Sequence, residues 1–222
     1  MNFIHHEGLN IPSAERIDTP EGRRYVSPRT GEKYISVTTL LNSGDKSWLK
    51  KWEKRVGKEE ADRITRVASS RGTGLHTICE RYLKNEEQPT LGVTDYNSIS
   101  YFNIIKKELD KNVGLIYAIE QPLFSDTLKL AGTPDLICEW KGKPAIIDFK
   151  NSMKLKKKEW ITNYFVQTTA YSIMFEELTG IPCKDLVIII GTEGEPLPQI
   201  WHEKRANWYP HLAKFLNDYN TK

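Results

Sequence analysis

The chain has 222 residues, 27% of them charged and 39% hydrophobic, and a formal net charge of +3 at pH 7. That length supports one sizeable core rather than two, and no apolar stretch reaches membrane-spanning length. Cys79, Cys138 and Cys183 are widely spaced with no Cys-x-x-Cys pair. This argues against a disulfide framework or a tetrahedral zinc site, and so small a net charge means that nucleic-acid binding would have to rest on local patches.

The start, Met1 to Glu7, has neither the layout of a secretion signal nor that of an Arg-rich transit peptide, so an intracellular location is expected. Residues 1–22, polar and holding Pro12 and Pro20, read as an irregular arm with little core content. Tyr25 to Ile35 reads as a short hairpin around Ser27-Pro28-Arg29-Thr30-Gly31. Ser36 then suits the N-cap of a short helix over Val37-Thr38-Thr39-Leu40-Leu41. From Ser47 to Arg55 a helix places Trp48 and Trp52 four apart on one face. Both tryptophans suit packing, yet Lys50, Lys51, Lys54 and Arg55 beside them make the combination that tracks a phosphate backbone and stacks on bases.

A long helix follows over about 59–83. Gly72 and Gly74 each weaken it by roughly 1 kcal/mol, which predicts an interruption, or a close approach by another backbone or a ligand. His76 and Glu80 share a face of this helix. After a polar connection, 95–109 is helical with Ile99, Phe102, Ile105 and Leu109 as its core stripe. From Gly114 the pattern turns to strand, with Glu120 at the end of the first one.

The stretch Gly132 to Lys150, GTPDLICEWKGKPAIIDFK, reads as a β-hairpin. Its two apolar runs flank a Lys141-Gly142-Lys143 turn, with Asp135 ahead of the first run and Asp148 and Lys150 ending the second. Antiparallel return brings Asp135 beside Asp148, and Lys150 shares a face with Asp148. Two converging carboxylates with an ammonium beside them suit a hard divalent cation. Beyond them lie a basic loop, Lys154 to Lys158, and a helix over about 160–179 that carries Gln167 and Tyr171 four apart and stops at Gly180. A buried strand at Leu186–Ile190, a second at Gln199–His202 and a last helix over about 203–219 complete an α/β pattern with one mixed sheet.

As an ordered set, Arg71-Gly72-Thr73-Gly74-Leu75-His76 with Glu80, then Gly132-Thr133-Pro134-Asp135, Asp148-Phe149-Lys150 and Gln167-Thr168-Thr169-Ala170-Tyr171 resemble the PD-(D/E)XK nuclease superfamily. The resemblance is to its RecB-like exonuclease branch, the group that includes phage exonucleases and the mitochondrial genome maintenance exonuclease, and it covers about residues 34–175. It implies one nuclease domain over 1–222. A mostly helical portion (36–110) would precede a sheet-containing catalytic core (114–222) of restriction-endonuclease-like fold, its mixed central β-sheet flanked by helices.

The implied activity is metal-dependent DNA exonuclease, acting on single strands with a free end, with Asp135, Asp148 and Lys150 catalytic. Mg²⁺ or Mn²⁺ would be held by Asp135, Asp148, the carbonyl of Phe149 and His76. Glu80 is a further ligand, a carboxylate orienting His76, or a partner of Arg81 or Lys84. Glu120 is a ligand or an edge-strand charge. Arg71, Gln167, Tyr171, Lys154, Lys156, Trp48 and Lys51 would line the site or contact DNA. The four-cysteine iron–sulfur cluster of some RecB-like relatives cannot be built from three cysteines. A double-strand-end or structure-specific nuclease, and a catalytically inactive DNA-binding module, remain alternatives.

Overall fold

The computed structural model describes residues 2–20, 22–44 and 47–221, without the side chains of Ser47 and Trp48. The chain opens with three strands, β1 (Glu15–Thr19), β2 (Gly22–Val26) and β3 (Lys33–Ser36), paired as an antiparallel meander. Tyr25 opposite Tyr34 makes the expected hairpin. The expected irregular arm over 1–22 is corrected. β1 pairs along its whole length with β2, Phe3 and Ala14 are buried, and the carbonyl of Ile4 accepts from the amide of Ile116 at 2.8 Å. β1 is an edge strand with Ile17 as its single large apolar residue, so the alternation that announces a strand is nearly absent.

Four helices follow: α1 (Val37–Asn42), α2 (Ser47–Val56), α3 (Lys58–Leu83) and α4 (Tyr96–Asn112). Ser36 caps α1, its hydroxyl accepting from the Thr39 amide at 2.9 Å. α3 runs unbroken for 26 residues, so the two glycines do not interrupt it. Gly74 is required by its neighbour: a Cβ there would stand 2.5 Å from Ser98 Oγ on α4. The close approach is that of a second helix.

The remaining elements are β4 (Val113–Ile119), β5 (Leu123–Ser125), β6 (Leu130–Gly132), β7 (Leu136–Trp140), β8 (Lys143–Ser152), a 3₁₀ turn at Lys158–Trp160, α5 (Thr162–Thr179), β9 (Asp185–Thr192), β10 (Gln199–Lys204) and α6 (Arg205–Asn220). The fold is mixed α/β with two five-stranded mixed sheets and, among the described residues, six α-helices. One sheet, β10-β9-β8-β7-β4, is the expected mixed sheet, with β8 and β9 parallel. The other, β1-β2-β3-β6-β5, was not expected, and its one parallel pair is β3 with β6.

The larger strands alternate between two cores. Ile137, Ile146, Leu186, Ile188 and Ile190 face Phe165, Val166 and Met174 of α5. Leu136, Cys138, Ala145, Ile147, Val187 and Ile189 face Leu75 and Ile78 of α3 and Phe102 and Ile105 of α4. With both faces covered, β9 reads as a continuous apolar run, as buried parallel strands do. α5 packs on β8 and β9 and also on β5 of the other sheet. That explains why it is buried on most sides, Thr168, Thr169 and Ser172 included, and shows no clean apolar stripe. No described helix is long and apolar enough to cross a membrane.

Candidate metal centre

The β7–β8 hairpin forms as its sequence requires: Lys141 and Gly142 both take positive φ (52° and 78°), the geometry of a tight two-residue hairpin turn. Leu136 pairs with Ile147, so one residue further on Asp135 meets Asp148. Asp148 and Lys150 do not end a strand, because β8 continues to Ser152 by pairing with β9, Asp148 opposite Ile188 and Lys150 opposite Ile190. It is β7 that has begun only at Leu136, which leaves the space beside Asp148 for Asp135. Asp135 fills it by accepting the Phe149 amide proton through Oδ2 at 2.7 Å. The other oxygen, Oδ1, faces His76 Nδ1 at 3.2 Å.

Asp148 and Lys150 lie on the α5 side of β8, in phase with Ile146, where the Lys150 ammonium also sits 5.1 Å from the Tyr164 ring centre. Lys150 Nζ is 2.6 Å from Asp148 Oδ2. The pair is a buried, charge-assisted contact, and it is the interaction that favours the ionised form of each partner against burial.

His76 comes from α3, held at this distance by the Gly74 contact two residues earlier. Glu120 follows β4 at a φ of +47°, a conformation that costs a residue with a Cβ about 1–2 kcal/mol. Its amide donates to the Asp135 carbonyl at 3.2 Å, and its carboxylate reaches to 4.0 Å from His76 Nδ1. The result is a His76, Glu120, Asp135 cluster whose ligand atoms all lie within 4.8 Å of one another and could hold a metal ion. Nitrogen and carboxylate oxygen donors in a partly buried site match first-row divalent ions and Mg²⁺; Asp148, expected as a ligand, is not in this cluster, its carboxylate being taken by the Lys150 ammonium. The donor set fits the expected metal; its identity is not fixed by it.

The charges shift one another strongly. The Asp135 charge, against the effect of burial, pushes the His76 pKa up to about 9. Burial disfavours ionised Asp135, but His76 and Lys150 outweigh it and hold the carboxyl below its ordinary value. Burial first, and Asp135 second, raise Glu120 to about 7. Burial raises Asp148 to about 6 in spite of Lys150. Lys150 stays above its ordinary value because Asp148 and Asp135 outweigh its desolvation. Opposed shifts in a cluster this tight are typical of sites that handle protons or bind ions.

A 410 Å³ cleft opens on the cluster, lined by His76, Glu120 and Asp135 together with Ser36, Gln167 and Tyr171. Gln167 Nε2 donates to the Tyr171 hydroxyl at 3.2 Å, and the Tyr171 ring lies against Gly132, where a Cβ would come within 2.7 Å of it. Glu80 is not in the ligand cluster: its carboxylate takes the Lys84 ammonium at 2.7 Å, one of the alternatives raised for it.

Arg71, Lys154 and Lys156 line a neighbouring 540 Å³ cleft along α3 and the end of β8, and Lys51 lines a third, of 710 Å³, with Trp52 and Arg55. These two clefts share Ile64 and Ala68. The Trp48 side chain lies outside the described residues. Sequence reasoning missed Arg16 and Arg23, which reach the metal-cluster cleft from the β1–β2 hairpin. The usable signal was Pro20 and Gly22, a turn pattern between two short polar stretches, with Arg16 and Asp18 two apart before it and Arg23 and Tyr25 two apart after it.

No protein-family model matches the chain, and no curated protein matches it. Among solved structures, the one titled "Crystal structure of SSO0001" is similar over 65% of this chain and 72% of that one, at 16% identity and a TM-score of 0.33. A likeness that slight carries no argument about function.

Proposed function

We propose that the chain is a divalent-metal-dependent deoxyribonuclease of the PD-(D/E)XK superfamily, RecB-like branch, working as an exonuclease on single strands. The observation that carries this reading is that Asp135, facing His76 of α3 and accepting from the Phe149 amide, stands where the register brings it beside Asp148 of β8, whose carboxylate pairs with Lys150. The order β4, β7, β8, α5, β9, with β8 and β9 parallel, is compatible with the core of that superfamily.

In this reading His76, Asp135, Asp148 and Glu120 would hold Mg²⁺ or Mn²⁺, with the Phe149 carbonyl as a further oxygen. Such an ion supplies Lewis acidity at a phosphate and makes water a better nucleophile at neutral pH. Lys150, fixed between Asp148 and the Tyr164 ring, offsets the negative charge that builds on the phosphoryl oxygens. Asp135 anchors His76 and, through the Phe149 amide, fixes β8 in register with the site. Tyr171 stays a neutral phenol, since burial raises its pKa, and can only donate or accept hydrogen bonds beside Gln167.

The single-strand preference is supported by the two basic clefts along α3, where Trp52 stands among Lys51, Arg55 and, further along, Arg63 and Arg71. Aromatic faces among cations suit unpaired bases and their backbone. End-labelled linear strands and a circular strand of the same sequence, each with Mg²⁺, Mn²⁺ or EDTA, test it. Metal-dependent shortening of the linear strand with the circle intact is expected. Rapid cutting of the circle contradicts the exonuclease, and strand binding without cleavage under any metal contradicts the nuclease.

A further inference from the structure

The β1–β2 hairpin brings Arg16, Asp18, Arg23 and Tyr25 to one face: Arg16 pairs with Tyr25 and Asp18 with Arg23 across the strands. That face is turned to the cleft, for Tyr25 is buried, its hydroxyl lies 3.4 Å from Thr133 Oγ1, and both arginines line the same 410 Å³ space as His76, Glu120 and Asp135. Two guanidiniums here share one carboxylate among the described residues. Arg16 Nη2 is 3.0 Å from Asp18 Oδ2, and Arg23 Nε is 3.8 Å from Asp18 Oδ1. Asp18 is 67% exposed, so its hold on either partner is weak. Most of the N–H donors of the two forks are therefore free for an anion.

The geometry points to a second anion subsite: Arg16 and Arg23 take a phosphodiester next to the one processed at the metal cluster. This rests on the nuclease reading above and deepens it. Asp18 orients the guanidiniums while no phosphate is present and is displaced from them by one, since a phosphate offers bidentate geometry to both forks. The subsite explains why an otherwise marginal edge hairpin is packed against the cleft. It also adds cations to a cleft that holds a cluster rich in carboxylates, so that a polyanion entering the cleft meets attraction as well as the acids.

The test is binding, which needs no turnover. A fluorescein-labelled single-stranded DNA decamer is titrated in EDTA at several salt concentrations with wild type, Arg16→Gln, Arg23→Gln, the double variant, and Arg24→Gln as a control of equal charge. Arg24 points to the other face, opposite Ile17 and Ile35. Roughly tenfold weaker binding is expected for each cleft arginine removed, the loss typical of a charge-assisted hydrogen bond, and the log–log salt slope should fall by about 0.7 for each phosphate that is no longer neutralised.

Asp18→Asn should tighten binding in the wild-type background and not in the double variant, an effect a purely structural Asp18 would not produce. Equal losses for Arg24→Gln and Arg23→Gln, or an Asp18→Asn gain that survives in the double variant, overturn the subsite. Wild type that cleaves while the arginine variants bind unchanged overturns the subsite and leaves the nuclease standing. Arginine-dependent binding without cleavage does the reverse, and no binding by wild type overturns both.

Discussion

Gly74→Ala and Gly72→Ala, two residues apart on one helix, should have opposite effects. Alanine is the better helix former by about 1 kcal/mol, so in an open position either change stabilises α3. At Gly72 the space is open enough: the nearest atom to a new Cβ, Asn151 Oδ1, is 3.6 Å away. At Gly74 the new Cβ would stand 2.5 Å from Ser98 Oγ and 2.9 Å from Ser98 Cβ. Ser98 cannot yield. It is fully buried, its single hydroxyl proton has the Arg71 carbonyl at 3.0 Å and Asp95 Oδ2 at 2.6 Å as acceptors, and its amide donates to Asp95 as the N-cap bond of α4.

Forcing the methyl in costs about 1–3 kcal/mol of overpacking and about 1 kcal/mol more if a Ser98 hydrogen bond breaks. After the propensity gain, Gly74→Ala should lose about 1–3 kcal/mol in urea denaturation, while Gly72→Ala should gain up to about 1 kcal/mol. Ser98→Gly, which removes both clashing atoms, should restore part of the loss in a double-mutant cycle, with a coupling of at least about 0.5 kcal/mol. Equal stability for the two alanine variants would refute the tight α3–α4 contact, and with it the account of how His76 is positioned.

Ser36→Ala removes the cap of α1 and should cost about 1 kcal/mol by thermal or urea unfolding, with Ser36→Gly losing only a few tenths. Asp185 is buried, and although burial favours its neutral form, hydrogen bonds from Lys204 and His202 hold its pKa below the ordinary value. A depressed carboxyl stabilises the fold above its unfolded pKa, and that stabilisation fades as pH falls through the folded one. Asp185→Asn should therefore be less stable than wild type at pH 7, with the gap closing below about pH 4; a gap independent of pH would contradict it. His76→Ala should weaken Mn²⁺ binding, read by calorimetry, by about 10-fold or more, an imidazole donor being lost, whereas Glu80→Gln, away from the cluster, should change it little.

The β7–β8 hairpin could be read from the sequence because its turn residues and both apolar runs act locally, and because Asp135 and Asp148 follow from register alone. Ser36 as a cap was legible for the same reason. What escaped depends on partners distant in sequence. Gly74 looks like a helix breaker until Ser98 is packed against it. β5 and β6 look like the continuation of one sheet, yet β6 pairs with β3, far earlier in the chain, and draws the N-terminal meander into a second sheet. Glu120 was expected as a ligand or an edge-strand charge, but the left-handed backbone angle that carries it to His76 and Asp135 is announced by no pattern. Arg16 and Arg23 were hidden on an edge hairpin with almost no apolar alternation.

The most direct measurement compares wild type with Lys150→Ala and Asp148→Asn for single-turnover cleavage of an end-labelled single strand in Mn²⁺, with strand binding and circular dichroism recorded on the same samples. The account predicts metal-dependent shortening by wild type and a loss of at least about 10²-fold in both variants, with folding and strand binding retained. Cleavage by either variant at the wild-type rate would contradict it.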